Sequence, residues 1–212
     1  MTNTIIEDEL EELNKIQKDA VTWENGPLLV LAGPGSGKTK VITCRIAYLL
    51  RKSENQKFRI LGLTFTNKAA DEMRNRLVNY KIDQDRFNIF TFHSFCAHVL
   101  RQHGSHIGIN TNFSIYSQQS DLQSIFCEVI RKAKEEFTFI TDNDQNNLSI
   151  IQRLKSNLIE PSSTENLFKN PEIGKKISIL YQGYENELSI RNSLDFDSLI
   201  IKTYELFNSY PS

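Results

Sequence analysis

The octapeptide AGPGSGKT at Ala32–Thr39 constrains this chain more than any other segment, because an apolar run, GPLLVLAG (Gly26–Gly33), leads into it and an amphipathic helical pattern leaves it. Strand, glycine-rich loop and helix in that order are the layout of a P-loop. Such a loop wraps a polyphosphate with its backbone N–H groups turned inward, which requires φ > 0 at glycine. Lys38 then reaches the β- and γ-phosphates, and the Thr39 hydroxyl ligates Mg²⁺. The start of the next helix adds its positive dipole end. Ala32, Gly33, Pro34, Gly35, Ser36, Gly37, Lys38 and Thr39 are therefore the candidate nucleotide-binding residues, with Thr39 as the metal ligand and ATP or GTP as the ligand class.

The rest of the first half repeats the alternation this loop demands. LNKIQKDAV (Leu13–Val21) places Leu13, Ile16, Ala20 and Val21 on one helical face, and Gly37–Ser53 carries Val41, Ile42, Ile46, Tyr48, Leu49 and Leu50 on another. RILGLTFT (Arg59–Thr66) is nearly continuous in apolar residues, as a strand of a buried parallel sheet would be. A helix from Thr66 or Asn67 to about Tyr80, a strand FNIFTF (Phe87–Phe92) and a helix ending at Gly104 follow. Three strands alternating with helices predict a doubly wound α/β fold. From Asp121 to Tyr210 the pattern is helical with no convincing strand, broken by polar stretches at Thr141–Asn147 and Pro161–Asn166.

Composition narrows the function classes. With 212 residues, 39% hydrophobic and 24% charged, the chain can bury a real core. No apolar run approaches the ~18 residues of a membrane span, and the acidic N-terminus does not suit a signal peptide, so a cytoplasmic protein is expected. Cys44, Cys96 and Cys127 have no metal-ligand spacing and read as reduced thiols. Residues 1–12 carry five acids and no base; residues 13–110 carry fifteen Lys or Arg against seven Asp or Glu; residues 111–212 carry ten against fourteen. The phosphate-binding half is the basic half, which suits a polyanionic partner as well as it suits a solvated surface.

Further segments fall in order around the loop. LNKIQ (Leu13–Gln17) resembles the adenine-reading Q motif, TFTNKAADEM (Thr64–Met73) motif Ia, and TFHSF (Thr91–Phe95) motif Ib, of UvrD/Rep/PcrA-type superfamily 1 DNA helicases. IGINTNFSI (Ile107–Ile115) and LDFDSLI (Leu194–Ile201) are similar to segments flanking that family's helical insertion 1B. The resemblance implies a RecA-like P-loop parallel sheet, incomplete here, with an inserted all-helical subdomain: core 1A over residues 1–106, insertion 1B over 107–190, and a helix returning to 1A over 191–212. It implies ATP and Mg²⁺ as cofactors, with Lys38 and Thr39 the catalytic phosphate and metal contacts and Gln17 reading the adenine edge through its amide. Lys40 stands at a nucleotide-contacting position where the family usually has Arg; its ammonium is a point charge and stacks less well on a base. Phe65, Thr66, Asn67, Thr91, His93 and Ser94 are implied as contacts to single-stranded DNA or a single-strand/duplex junction.

The activity implied is that of an ATP-driven helicase moving 3′ to 5′, of the kind used in DNA repair or replication. Hydrolysis in such a motor needs a strand-end Asp–Glu pair and arginine from a second motor domain, 2A. No Asp–Glu pair preceded by four apolar residues occurs after Thr39, since Asp71–Glu72 belongs to the motif Ia helix. The expectation is a nucleotide grip and part of a DNA track that does not turn over by itself and works with the rest of a helicase chain. A naturally short ATP- and DNA-binding module acting through partner chains is the alternative; a nucleotide kinase would need an arginine-bearing lid, which is not recognisable. Asp195 and Asp197 read as structural, with Asp195 capping a helix through Phe207. Arg74, Arg76, Glu185 and Glu187 read as solvated charges.

Overall fold

Two apolar periodicities, one helical and one of short strands, organise the chain into two compact units, residues 1–92 and 93–212. The computed structural model describes residues 4–24, 26–53 and 58–210, with side chains from Glu7 onward. Residues 1–3, 25, 54–57, 211 and 212, which the segment ranges above include, lie outside the described residues. The architecture is mostly helical α/β with two short parallel sheets.

The first unit contains α1 (Thr4–Glu11), α2 (Lys15–Thr22), α3 (Lys38–Lys52), β1 (Ile60–Thr64), α4 (Asn67–Asn79) and β2 (Phe87–Thr91). β1 and β2 pair in parallel, with Ile60 opposite Phe87 and Thr64 opposite Thr91. Val41, Cys44, Ala47 and Leu50 recur at helical spacing on α3 and bury against Ala70, Met73 and Leu77 of α4 and Ile89 of β2. Burial pushes the Cys44 thiol up and, with the neighbouring Cys44, pushes the Tyr80 phenol up to about 12. Arginines close two helix ends here. Arg45 Nη1 donates to the carbonyls of Ala20, Val21 and Trp23 after α2, and Arg86 donates to those of Leu50 and Ser53 after α3.

Two expectations for this unit are corrected. Gly26–Gly33 is not a strand: among the described residues no backbone hydrogen bond pairs Leu28–Leu31 with another segment, and Leu29 and Leu31 are 80% and 87% exposed. A strand needs a ladder partner, and β1 and β2 pair only with each other. β1 is also not buried on both faces, because Leu61 and Leu63 alternate outward while Ile60, Gly62 and Thr64 turn inward. Ile16 and Ile42, expected on packed helix faces, are likewise exposed.

The second unit opens with α5 (Phe92–His103) and continues through β3 (Ser114–Tyr116), α6 (Gln119–Glu136), α7 (Leu148–Ser156), α8 (Pro161–Thr164), α9 (Pro171–Ile190), β4 (Ser193–Asp195) and α10 (Phe196–Ser209). Its larger core gathers Phe126 and Ile130 of α6, Ile151 of α7 and Leu180 and Tyr184 of α9, and a smaller one joins Leu100 of α5 to Leu199 and Leu206 of α10. β4 pairs in parallel with β3 and corrects the expectation of no strand in this stretch. Three residues are too few to leave a periodic signal.

The buried Lys155 ammonium ties the helices of this unit together. It donates to Asp195 Oδ1 at 3.0 Å and Oδ2 at 2.8 Å and to Ser198 Oγ at 2.8 Å, and it pairs with Glu185 at 2.6 Å. The Tyr184 hydroxyl donates to Asp195 Oδ2 at 3.0 Å, and the Ser198 N–H donates to Oδ1 at 2.7 Å, which makes Asp195 the N-cap of α10. Burial raises the Asp195 carboxyl pKa; the Lys155 charge and the hydrogen bonds outweigh it, so the net direction is down. Glu187 is not solvated: it is 6% exposed and pairs with Lys132 and Arg191. Glu185 is partly covered through Lys155, and Arg74 and Arg76 pair with Asp71 and Glu72.

Removing one member of a buried pair strands the other. Lys155→Met is expected to lower stability by about 3–5 kcal/mol. Asp195→Asn in the Lys155→Met background should then cost less than it does alone, a coupling of about 1–3 kcal/mol read by urea denaturation of the four proteins. Strictly additive losses would show that the two side chains do not act as a pair.

Candidate functional site

The glycine-rich loop is built from backbone conformation first. Gly35 and Gly37 have φ of 74° and 80°, in the left-handed region that side chains resist. Gly37 is the N-cap of α3, so Lys38 and Thr39 occupy the helix's first turn with its unpaired N–H groups. An added Cβ at Gly33 or Gly35 would meet nothing within 4 Å, so both positions face open space. Lys38 Nζ turns inward over it and donates to the carbonyls of Ala32 at 2.9 Å and Gly33 at 2.6 Å. Ser36 Oγ also donates to the Gly33 carbonyl, at 2.7 Å. Pro34 and Gly35 form the turn between them.

Gln17 is brought to this loop by a capping box. Its N–H donates to Asn14 Oδ1 at 2.9 Å, the Asn14 N–H donates back to Gln17 Oε1 at 3.0 Å, and Gln17 Nε2 donates to the Ser36 carbonyl at 3.1 Å. The spacing N-x-x-Q is itself a sequence signature of a helix start. A cleft of about 800 Å³ adjoins the loop, with Gln17, Ser36 and Lys38 on its polar side and Trp23, Leu29 and Ile42 on its apolar side.

Lys40 faces another way from its neighbours. Its ammonium lies 2.6 Å from Glu12 Oε2 and 2.9 Å from Glu9 Oε2. The hydrogen bonds that Lys40 donates to Glu12 and then to Glu9 push its pKa up, and the same bond to Glu12 holds that carboxyl below its usual range. Sequence reasoning missed this trio, for which spacing across 28 residues offers no signal. Thr39 is half-buried beside it, and no group of three His, Cys, Asp or Glu among the described residues could hold a metal. A cation here would accordingly take the Thr39 hydroxyl together with oxygens that a nucleotide and water bring.

The candidate DNA contacts fall in both units. In the first, Phe65 projects from the end of β1 and is 94% exposed, so it is not a core residue. Thr66 caps α4 by accepting from the Ala69 N–H at 3.2 Å, and Asn67 is the first, exposed residue of that helix. Thr91 is buried at the end of β2, level with Thr64. In the second unit, His93 and Ser94 lie in the first turn of α5, and the His93 ring packs 4.4 Å from that of Phe196. The basic balance of residues 13–110 is partly consumed inside the fold, since Lys40, Lys52, Arg74 and Arg76 are ion-paired and Arg45 and Arg86 bind helix-end carbonyls.

Residues 13–212 match the UvrD/REP helicase N-terminal domain family. Among curated proteins, the chain is 37% identical over 204 residues to an ATP-dependent DNA helicase PcrA from Staphylococcus epidermidis, and 36% identical over 203 residues to one from Staphylococcus aureus. Each alignment takes in 95% of this chain and 27% of the relative, so the chain spans about a quarter of the length of these relatives.

The capping box predicts a separable effect. Asn14→Ala removes the acceptor that holds the Gln17 N–H and should cost about 0.5–2 kcal/mol in thermal or urea denaturation. Asn14→Ser, which keeps an acceptor, should recover most of it; equal losses for the two variants would refute the cap.

Proposed function

The chain belongs to the UvrD/REP helicase family, and from that premise we propose that it is the ATP-gripping part, with a share of the DNA track, of a 3′–5′ helicase with a RecA-like P-loop core. The observation that carries this reading is the loop itself: Lys38 turned over an open cradle of backbone, with Gln17 fastened to its rim at Ser36. ATP with Mg²⁺ supplies the phosphoanhydride whose cleavage drives movement. Lys38 exchanges two neutral carbonyl acceptors for anionic phosphate oxygens, so that an ion–dipole contact becomes an ion pair. The α3 N–H groups and helix dipole hold the same anion, and Thr39 offers its hydroxyl to the cation. Beyond its bonds to Asn14 and Ser36, the Gln17 amide retains a second N–H and a second oxygen lone pair, the donor and acceptor that discrimination of an adenine edge requires.

Phe65 is read as the stacking surface of the DNA track. An exposed aromatic ring followed by Thr66, Asn67 and Lys68 suits a base on the ring and a phosphate on the polar groups. Thr91, His93 and Ser94 are assigned to the same strand of DNA on the strength of the motif they match. The partner is single-stranded DNA or its junction with duplex, and the remainder of a helicase chain, including motor domain 2A, is assigned the water-positioning acid and the arginine. The 212 residues alone are proposed to bind ATP without turning it over, acting in the cytoplasm; no described helix is long and apolar enough to cross a membrane.

Two measurements check this. Titration calorimetry with ATP–Mg²⁺ should show binding that Lys38→Ala weakens at least tenfold, with phosphate release at background even with single-stranded DNA. Unchanged affinity in the variant would remove the loop as the site. Fluorescence anisotropy with an oligothymidine should show Phe65→Ala weakening binding by about 1–3 kcal/mol, the range for one stacked base. An unaltered isotherm would return Phe65 to the role of an exposed apolar residue.

A further inference from the structure

Lys40 sits two residues after Lys38 but about 200° round the helix from it, and its ammonium is held by two carboxylates from the segment that ends α1. Leu10 and Leu13 pack that segment onto the α3 core, so Glu9 and Glu12 are fixed beside the first turn of the phosphate-binding helix. Two carboxylates there oppose the binding of a polyphosphate, because unscreened charge acts over about 8–10 Å at ordinary salt. To touch a ligand, Lys40 would have to leave both partners and expose them.

We propose that Lys40 is a positioning residue that offsets charge: its ammonium leaves Glu9 and Glu12 with one net negative charge instead of two beside the start of the helix, so that a nucleoside triphosphate is accepted, and it is not itself a nucleotide ligand. The inference rests on the loop being a nucleotide site. Both carboxylates hold the Lys40 pKa up, so Lys40 stays charged wherever they are ionised. It also gives the acidic turn before Leu13 a role that the helical pattern alone did not suggest.

The test is titration calorimetry of the full chain with ATP–Mg²⁺, repeated in 1 M salt, on four variants. Lys40→Met, which keeps most of the stem, should weaken binding by about fivefold at low salt, and the loss should largely vanish at 1 M, where the Debye length is about 3 Å. Glu9→Gln with Glu12→Gln, which leaves Lys40 in place, should tighten binding by about threefold. Lys40→Met combined with both glutamines should bind at least as tightly as wild type.

A triple variant as weak as Lys40→Met, a Lys40→Met loss that persists at 1 M salt, or a glutamine pair that binds no tighter than wild type would each overturn the proposal. The glutamine pair tests it even where Lys40→Met fails to fold. Lys38→Ala is the control: if it binds ATP as well as wild type does, the nucleotide-site reading falls and this inference with it. If Lys38→Ala loses binding and the triple variant does not recover, only the inference fails.

Discussion

One buried ammonium, that of Lys155, governs how the larger unit is assembled. A cation without water must find anionic partners, and here they come from α9, through Glu185, and from the end of β4, through Asp195. Asp195 in turn caps α10 and accepts from Tyr184, so a single charge requirement sets α7, α9, β4 and α10 relative to one another. The surrounding cores of Phe126, Ile151 and Leu180 provide the burial, but apolar contact is not directional and many packings would satisfy it. The ion pair selects among them.

The same demand for satisfied polar groups shapes the smaller unit. Arg45 and Arg86 spend their guanidiniums on the last carbonyls of α2 and α3, and the Asn14–Gln17 box closes the start of α2. These contacts hold Gln17 against Ser36 and give the glycine loop a fixed rim. At the loop, the left-handed glycines and the α3 N-terminus leave backbone donors beside the Lys38 and Ser36 side chains. The loop therefore presents placed N–H groups and one ammonium folded back onto its own carbonyls, with the Glu9 and Glu12 carboxylates paired to Lys40 nearby.

Much of this was legible in residue order. The loop, helix α3, the Thr66 cap and the inward faces of α3 and α4 follow from glycine, hydroxyl and helical periodicity, all of which act within a few residues. The match to the UvrD/REP family covers the same stretch from residue 13 onward. Less legible were features that depend on distant partners. Gly26–Gly33 has every mark of a buried strand and lacks only a ladder to join. β4 became a strand because β3 lies beside it, and Glu187 became a buried anion because Lys132, 55 residues earlier, reaches it.

By itself the sequence determined the local elements of this protein: a glycine-rich loop with left-handed turns, the helix that starts from it, and a capped helix start at Asn14–Gln17. Only the tertiary structure decided where charge goes. It bound Lys40 to Glu9 and Glu12, buried Lys155 with Asp195, and left Leu29 and Leu31 in solvent. The physical reason is that glycine torsions, caps and periodicity are settled within a turn or two of backbone. The cost of a charge or an unpaired strand is set by whatever distant segment comes within a few ångströms of it.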